Sequence, residues 1–296
     1  MRKPSYLSRN LKEIKEKVLS LLAECRICPR ECGVNRLRNE KGHCQTGRYA
    51  VVSSYGPHFG EEPELVGNSG SGTIFFSYCN LNCLYCQNYE ISQLGEGRER
   101  DEEALAKIML YLQEIGCHNI NLVSPTHIVP QFLEALELAV KEGLKIPIVY
   151  NSGGYDKVET LKLLEGIIDI YMPDAKYADD ENSKKYSNAP NYFAINKLAL
   201  KEMHRQVGDL ICDERGIAQR GLIIRHLVLP NRIAGSFRVL EFIAREISKD
   251  TYVNIMAQYR PCYHACRYLE LSRRITDEEF KEVIEYAKSL GLHRGF

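Results

Sequence analysis

Seven of the eleven cysteines in this chain of 296 residues lie in two short segments with the spacing of metal ligands. Cys79, Cys83 and Cys86 follow an apolar, aromatic run in a C-x3-C-x2-C pattern. Three thiolates on one loop can bind three irons of a four-iron cluster and leave the fourth iron open. A structural zinc site closes with four ligands, and a simple electron carrier uses four cysteines. The pattern therefore predicts an iron–sulfur cluster with one reactive position.

The second segment contains Cys25, Cys28, Cys32 and Cys44, spaced C-x2-C-x3-C-x11-C. Four thiolates are a complete set for one metal site. They satisfy either a tetrahedral zinc ion or a second [4Fe–4S] cluster, and the residues leave that choice open. Residues 25–60 contain little apolar material and are expected to be loop-rich, so a bound metal would help them fold.

The charge balance and the cysteine count limit the functional class. The 39 basic and 39 acidic residues cancel, which gives no strong signal for nucleic-acid or membrane binding. The apolar runs are too short to span a bilayer, and residues 1–24 lack the apolar core of a secretion signal. Eleven cysteines in a chain without such a signal favour metal or redox chemistry over disulfides. We therefore expect a cytoplasmic protein.

Alternating strand and helix patterns are expected to position the cysteines. A first amphipathic helix is predicted over 10–23. The predicted strands are 73–78, 119–123, 146–150, 167–172, 221–229 and 251–256. The predicted helices between and after them are 101–116, 130–142, 156–166, 234–248 and 276–290, and residues 179–208 are expected to be helical or irregular. Six β–α pairs predict an α/β fold with a parallel sheet, best described as a partial (β/α)6 TIM-like barrel, with a doubly wound sheet as the alternative. Residues 1–66 would form an N-terminal Cys-rich, metal-binding extension, and residues 67–296 the core.

Polar residues follow or end each predicted strand, where parallel α/β folds place their chemistry. Besides the three-cysteine loop, the candidates for cofactor binding are Thr126, Asn151, Ser152, Asp174, Lys176, Arg225, His226 and Gln258. Because these residues come from different strand ends, we expect them to meet at one rim. Cys262 and Cys266 form a further C-x3-C pair, which alone is an incomplete metal site.

With Tyr85 before its last cysteine, the C-x3-C-x2-C loop resembles that of the radical S-adenosylmethionine (SAM) superfamily. Within it, the chain is most similar to uncharacterised relatives of pyruvate formate-lyase activating enzyme. That resemblance extends over about residues 25–290 and includes Tyr85-Cys86-Gln87-Asn88, Pro125-Thr126-His127, Asp174-x-Lys176 and Cys28-Pro29-Arg30-x-Cys32-Gly33-Val34-Asn35-Arg36.

The resemblance implies an oxidoreductase that reductively cleaves SAM to a 5′-deoxyadenosyl radical and takes hydrogen from a protein or peptide. Its partner would be a low-potential electron donor of the flavodoxin or ferredoxin type. Cys79, Cys83 and Cys86 match the ligands of the [4Fe–4S] cluster, and Lys176 would meet the SAM carboxylate.

The resemblance assigns roles to the other strand-end residues as well. Asn151 and Ser152 would face the ribose, and His226 or Gln258 the adenine or the substrate. Thr126 stands where the family has a Gly-Gly-Glu-like turn that this chain lacks. The same chemistry on a tRNA or a small metabolite remains an alternative, as does a non-catalytic iron–sulfur electron carrier.

Overall fold

The computed structural model describes residues 3–296, so the first two residues of the predicted extension lie outside it. Its strands are β1 Ala50–His58, β2 Ser71–Phe76, β3 Arg98–Arg100, β4 Ile120–Val123, β5 Ile148–Ser152, β6 Ile170–Pro173, β7 Ile211–Cys212, β8 Ala218–Leu227 and β9 Tyr252–Met256. Its α-helices are α1 Leu11–Ser20, α2 Pro63–Val66, α3 Tyr89–Ser92, α4 Glu102–Glu114, α5 Val129–Lys141, α6 Val158–Leu163, α7 Asp180–Ser187, α8 Tyr192–Val207, α9 Ser236–Phe242 and α10 Asp277–Ser289.

Six parallel strands form the centre of the sheet. They pair in the order β2–β4–β5–β6–β8–β9, which is also their order along the chain. A doubly wound sheet would reverse direction at a switch point, and this sheet does not. The architecture is therefore the partial (β/α)6 barrel that the sequence predicted.

Buried apolar residues explain why these strands lie inside the molecule. Ile148, Val149 and Tyr150 of β5 are buried on both faces, as expected for a parallel strand covered by helices. Val149 packs inside the barrel with Leu65, which follows β1, and with Ile170 of β6. These apolar side chains pack near the amino ends of β5 and β6, whereas the polar rim lies at the carboxyl ends of the strands.

Residues 25–60 are expected to be loop-rich, and they include one strand that the sequence did not predict, β1. Ala50, Val51 and Val52 are buried and begin a strand that pairs antiparallel with β2. Gly56 and Pro57 weaken the strand pattern in its second half, which explains why the sequence did not reveal it. The strand extends the core sheet although it precedes residue 66, where composition placed the boundary of the extension.

The segment 179–208, expected to be helical or irregular, forms the two helices α7 and α8. Asn188 and Asn191 adopt left-handed backbone conformations on either side of Pro190 and turn the chain between the helices. Elsewhere the predicted helices and strands are found within a few residues of their expected ends. Among residues 3–296, every helix is too short or too polar to cross a bilayer.

A bidentate ion pair joins the N-terminal segment to the core. Arg48 donates to both carboxylate oxygens of Glu134 on α5, each at 2.7 Å. Both side chains are largely buried, with 22% and 10% exposed, so the pair is more than a surface contact. We predict that Arg48→Met lowers the melting temperature by about 5 °C, which corresponds to a loss of about 2 kcal/mol.

Thermal unfolding under anaerobic conditions measures this effect. Lys281→Met is the matched control, because Lys281 forms an exposed helical pair with Glu285. Loss of that pair should change the melting temperature by no more than about 1 °C. Equal melting temperatures for the two variants would show that the Arg48–Glu134 pair does not anchor the segment.

Candidate active site

A cavity lies at the carboxyl ends of the parallel strands, with about 1050 Å³ of empty space including its open mouth. It brings together most of the residues expected at the rim: Cys79, Cys83, Cys86, Asn151, Ser152, Asp174, Lys176, Arg225 and Gln258. Thr126 and His226 do not line it. Cys262 and Cys266 also lie outside its lining, on the segment that follows β9.

The three-cysteine loop is held on several sides by backbone hydrogen bonds. Leu84 N–H donates to the Tyr186 carbonyl at 2.8 Å, and the Leu84 carbonyl accepts from His264 N–H at 2.8 Å. Asn80 is buried and its amide donates to the Tyr155 carbonyl at 2.7 Å. Contacts from α7, from the loop after β5 and from the loop after β9 therefore set the positions of the thiols before any metal binds.

Each of the three sulfurs contacts a hydrogen-bond donor. Leu81 N–H donates to Cys79 Sγ at 3.4 Å, and the Ser187 hydroxyl donates to Cys83 Sγ at 3.0 Å. The Ser92 hydroxyl lies 3.1 Å from Cys86 Sγ. Such donors stabilise thiolate ligands and tune the potential of an iron–sulfur cluster.

The thiols also require a metal to become anions. Burial raises the pKa of Cys79 to about 12 and that of Cys83 to about 11, although Lys176 opposes the rise for both. Coordination to a cation removes the proton despite such values. No group of three or more His, Cys, Asp or Glu side chains in residues 3–296 is arranged to hold a single metal ion. Three thiols facing one cavity instead fit a multi-iron cluster, in which each thiolate binds a different iron.

A buried charge network lies beside the thiols. Lys176 Nζ is 2.6 Å from one oxygen of Asp174, and Arg225 Nε is 3.2 Å from the other. Burial favours the neutral acid, but Lys176 and Arg225 together hold the pKa of Asp174 below its usual range. Asp174 in turn raises the pKa of Lys176, against the effect of burial. All three groups are therefore charged at neutral pH, and Lys176 presents a positive charge to the cavity.

Glu61 completes this network, and sequence reasoning missed it. Arg225 donates to Glu61 at 3.1 Å and to the amide oxygen of Asn151 at 2.6 Å. Glu61 comes from the segment between β1 and α2, which reaches the barrel interior. Burial raises the pKa of Glu61 despite the neighbouring guanidinium. In the sequence, Glu61 stands out only as one of two adjacent acidic residues, Glu61 and Glu62, and the strand before them, β1, was not predicted.

The turn after β5 depends on a glycine. Gly154 has a φ of +72°, and a Cβ atom there would lie 1.9 Å from the Asp174 carbonyl oxygen. Asn196 on α8 donates to the carbonyls of Gly154 and Asp174 at 2.8 and 3.0 Å. This close approach places the end of β5 beside the end of β6, and so places Asn151 beside Asp174.

Thr126 acts inside the protein rather than at the cavity. Its hydroxyl donates to Asp156 at 2.7 Å, and Ser152 and Tyr150 donate to the same carboxyl at 2.6 and 3.0 Å. Burial raises the pKa of Asp156 against the effect of these donors. Ser152 still lines the cavity, but Thr126 is 3% exposed and holds the strand end in place.

His226 is likewise a structural residue. Its Nδ1 donates to the Ala175 carbonyl at 2.6 Å, so Nε2 accepts from the Ser236 hydroxyl at 2.8 Å in the neutral ring. The side chain alternates with Arg225 along β8 and points away from the cavity. The expectation that it meets adenine or substrate is therefore corrected by its position.

The buried His226 should make stability depend on pH. Burial lowers the pKa of His226 to about 4, whereas an unfolded chain binds the proton near pH 6.5. As pH falls from about 6.5 to about 4, the unfolded state takes up a proton that the folded state does not, so stability is lost. We predict that His226→Gln makes this loss shallower by up to about 1.4 kcal/mol per pH unit.

Melting temperatures between pH 7.5 and 5.5 test this prediction. His293→Gln is the control because its ring is exposed. The wild type and the control should show the same dependence on pH, and His226→Gln a weaker one. Three parallel curves would contradict a buried, neutral His226.

The four N-terminal cysteines also come together. Cys25, Cys28, Cys32 and Cys44 line a second, separate cavity that Arg30, Arg36 and His127 border. The segment is attached to α6, since the Thr160 hydroxyl donates to the Ile27 carbonyl at 2.6 Å. The spacing in the sequence thus predicted a spatial cluster of thiols correctly.

Known proteins provide an independent comparison. The sequence profile of the radical SAM superfamily matches residues 73–214. An uncharacterised protein of Methanocaldococcus jannaschii, MJ0674, is 34% identical over 298 residues, covering 97% of this chain and 81% of that protein. Pyruvate formate-lyase-activating enzyme of Clostridium pasteurianum is 29% identical over 133 residues, covering 43% of this chain and 55% of that protein.

Among solved structures, methylornithine synthase (PylB) matches with a TM-score of 0.49 and 18% identity, covering 73% of this chain and 61% of that chain. The chain thus spans less than two thirds of that structure. The profile match begins two residues into β2 and includes all three cysteines of the loop. The chain belongs to the radical SAM superfamily, which implies cleavage of SAM with an iron–sulfur cluster.

Proposed function

We propose that the protein is an activating-enzyme-type oxidoreductase that uses SAM to abstract hydrogen from a protein or peptide. The observation that carries this proposal is the set of three donor-contacted thiols opening into the same cavity as Lys176 and Asn151. In this proposal Cys79, Cys83 and Cys86 hold a [4Fe–4S] cluster. The bound cluster supplies one electron that cleaves the sulfonium and yields a 5′-deoxyadenosyl radical.

The chain's own residues bind and orient SAM. Lys176, fixed by Asp174, offers a positive charge to the carboxylate of the methionine moiety. Asn151 and Ser152 lie at the neighbouring strand end, in reach of ribose hydroxyls. Gln258 at the lip of the cavity offers an amide to the adenine or the substrate. Arg225 donates hydrogen bonds to Asn151 and Asp174 and thereby holds both side chains in position.

Two observations support a protein or peptide substrate. The cavity is open to solvent, and its lining includes the amide side chains of Gln87, Asn88 and Gln258, which suit hydrogen bonding to an extended backbone. The similarity to an enzyme named for activating pyruvate formate-lyase points to the same class of substrate. The electron would come from a low-potential flavodoxin or ferredoxin. Eleven free cysteines suit a reducing, cytoplasmic setting.

We predict that the anaerobically reconstituted, reduced protein converts SAM to methionine and 5′-deoxyadenosine. Cys83→Ala should abolish the conversion to the background rate because the cluster loses a ligand. Cys117→Ala is the matched control, since Cys117 is buried beneath the sheet and outside the cavity. Chromatographic quantification of 5′-deoxyadenosine measures the result. Equal yields from the Cys83 variant and the wild type would refute the proposed function.

Lys176 should control SAM affinity without controlling cluster assembly. Loss of one charge-assisted hydrogen bond costs roughly 1.5–3 kcal/mol, so Lys176→Met should weaken SAM binding about 10- to 100-fold. Calorimetry with SAM gives the affinity, and iron content shows whether the cluster is intact. Lys184→Met changes an exposed lysine on α7 and should bind SAM like the wild type. Unchanged affinity in Lys176→Met with full iron content would remove Lys176 from the site.

A further inference from the structure

Two arginines with incompletely paired guanidinium groups border the cavity of the four N-terminal cysteines. Arg30 and Arg36 both border it, and each has a buried Nη2 atom without a hydrogen-bond partner among residues 3–296. Arg36 is 1% exposed. Its other guanidinium nitrogens donate to the carbonyls of Gly47 and His127, at 3.1 and 2.7 Å, and Nη1 also contacts Cys25 Sγ at 3.8 Å.

None of these partners of Arg36 carries a formal charge unless Cys25 is a thiolate. Arg36 forms no ion pair with a carboxylate in the described part of the chain, although a buried guanidinium requires a compensating charge. Four thiolates around a divalent ion or a [4Fe–4S]²⁺ core leave a net negative charge on the site. Arg36 therefore fits as the counter-ion of a metal–thiolate group.

N–H groups also contact sulfurs of this site. Arg36 Nη1 lies 3.8 Å from Cys25 Sγ, and His43 N–H donates to Cys32 Sγ at 3.3 Å. Donors contact the sulfurs of the three-cysteine loop in the same way.

The N-terminal thiols share two features with those of the three-cysteine loop. Both sets line a cavity beside a cationic side chain, and in residues 3–296 neither set converges on one point as the ligands of a single ion would. Because the three-cysteine loop lies in the part of the chain that matches a family with an iron–sulfur cluster, this likeness supports a cluster at the N-terminal site. The packing behind the N-terminal thiols is tight, since a Cβ atom on Gly42 would lie 2.8 Å from Cys32 Sγ.

A hydrogen bond connects the two loops that carry the cysteine sites. Arg30, between Cys28 and Cys32, donates from Nε to the Asn80 carbonyl at 2.9 Å. Asn80 directly follows Cys79 in the chain. A path of covalent bonds and one hydrogen bond therefore links a ligand of one site to a ligand of the other. Cys32 is exposed at the outer edge of the N-terminal site, where a protein donor can approach.

We propose that Cys25, Cys28, Cys32 and Cys44 bind a second [4Fe–4S] cluster that relays electrons to the SAM cluster. A low-potential one-electron donor such as reduced flavodoxin gives one electron to the second cluster, which changes from 2+ to 1+. The second cluster would pass this electron through Arg30 and Asn80 to the SAM cluster, so that the second cluster returns to 2+ and the SAM cluster changes from 2+ to 1+. The relay rests on the proposed function, whereas the presence of the second cluster does not.

Metal content tests the second cluster separately from the proposed function. Wild-type protein reconstituted anaerobically should contain about eight irons and eight sulfides per chain, and no zinc. The variant Cys79→Ala/Cys83→Ala/Cys86→Ala should retain about four of each and the electron paramagnetic resonance signal of a reduced four-iron cluster. Four irons with one zinc in the wild type would overturn the second cluster, even if the triple variant failed to fold. A cluster in the triple variant would support it even if the wild type did not cleave SAM.

The relay is tested with two reductants. Cys28→Ser/Cys44→Ser should cleave SAM at least tenfold more slowly than wild type with reduced flavodoxin. With dithionite, which is small enough to reach the open cluster, the two rates should agree within about twofold. Cys212→Ser is the control and should match wild type with both reductants. Equal rates with flavodoxin would overturn the relay, and so would an equal loss with both reductants.

The role of Arg36 has its own readout. Arg36→Met removes a buried positive charge and should shift the reduction potential of the second cluster to lower values, whereas Arg36→Lys should restore most of the shift. Redox titration followed by electron paramagnetic resonance, in the triple variant that lacks the SAM cluster, measures the potential. Identical potentials in the two Arg36 variants would overturn its role as counter-ion.

Discussion

The structure depends on compensating the negative charge that the cysteine sulfurs carry once they bind metal. A buried thiolate without compensation is too costly to form, as the raised pKa values of Cys79 and Cys83 show. The chain supplies compensation in both cysteine sites. Lys176 lies near one and Arg36 beside the other, and neither position would be stable as an isolated charge. This requirement explains why buried cations occur next to the cysteines.

The two ends of the barrel differ in their chemistry. Apolar side chains pack around Val149 at one end, and the strand ends at the other hold Asn151, Asp174 and Arg225 in one hydrogen-bonded network. The network fixes Lys176 by its partner Asp174 rather than by packing alone. Glu61 joins the network from the segment between β1 and α2, so a change in the β1–β2 connection can affect the site through Arg225.

Local spacing made part of this site predictable. The sequence shows the spacing of the cysteines, the alternation of strand and helix patterns, and the polar residues after each strand. The structure brings most of these strand-end residues to one rim. The direction of individual side chains was harder to predict from the sequence. His226 is next to Arg225 on β8 but faces the other side of the strand, and Thr126 is hydrogen-bonded to Asp156. Both residues belong to strand ends that reach the cavity, although their side chains do not line it. Glu61 and Arg36 depend on contacts between distant segments, which no local pattern reports.

The central claim is that the chain holds two four-iron clusters, of which only the one in the three-cysteine loop has an open iron. Mössbauer spectroscopy of protein reconstituted with ⁵⁷Fe, recorded before and after addition of SAM, tests it most directly. The account predicts that all cluster iron is of the four-iron type and that SAM changes the isomer shift of about one iron in eight. A spectrum that SAM leaves unchanged, or one that contains a single cluster with zinc at the other site, would contradict it.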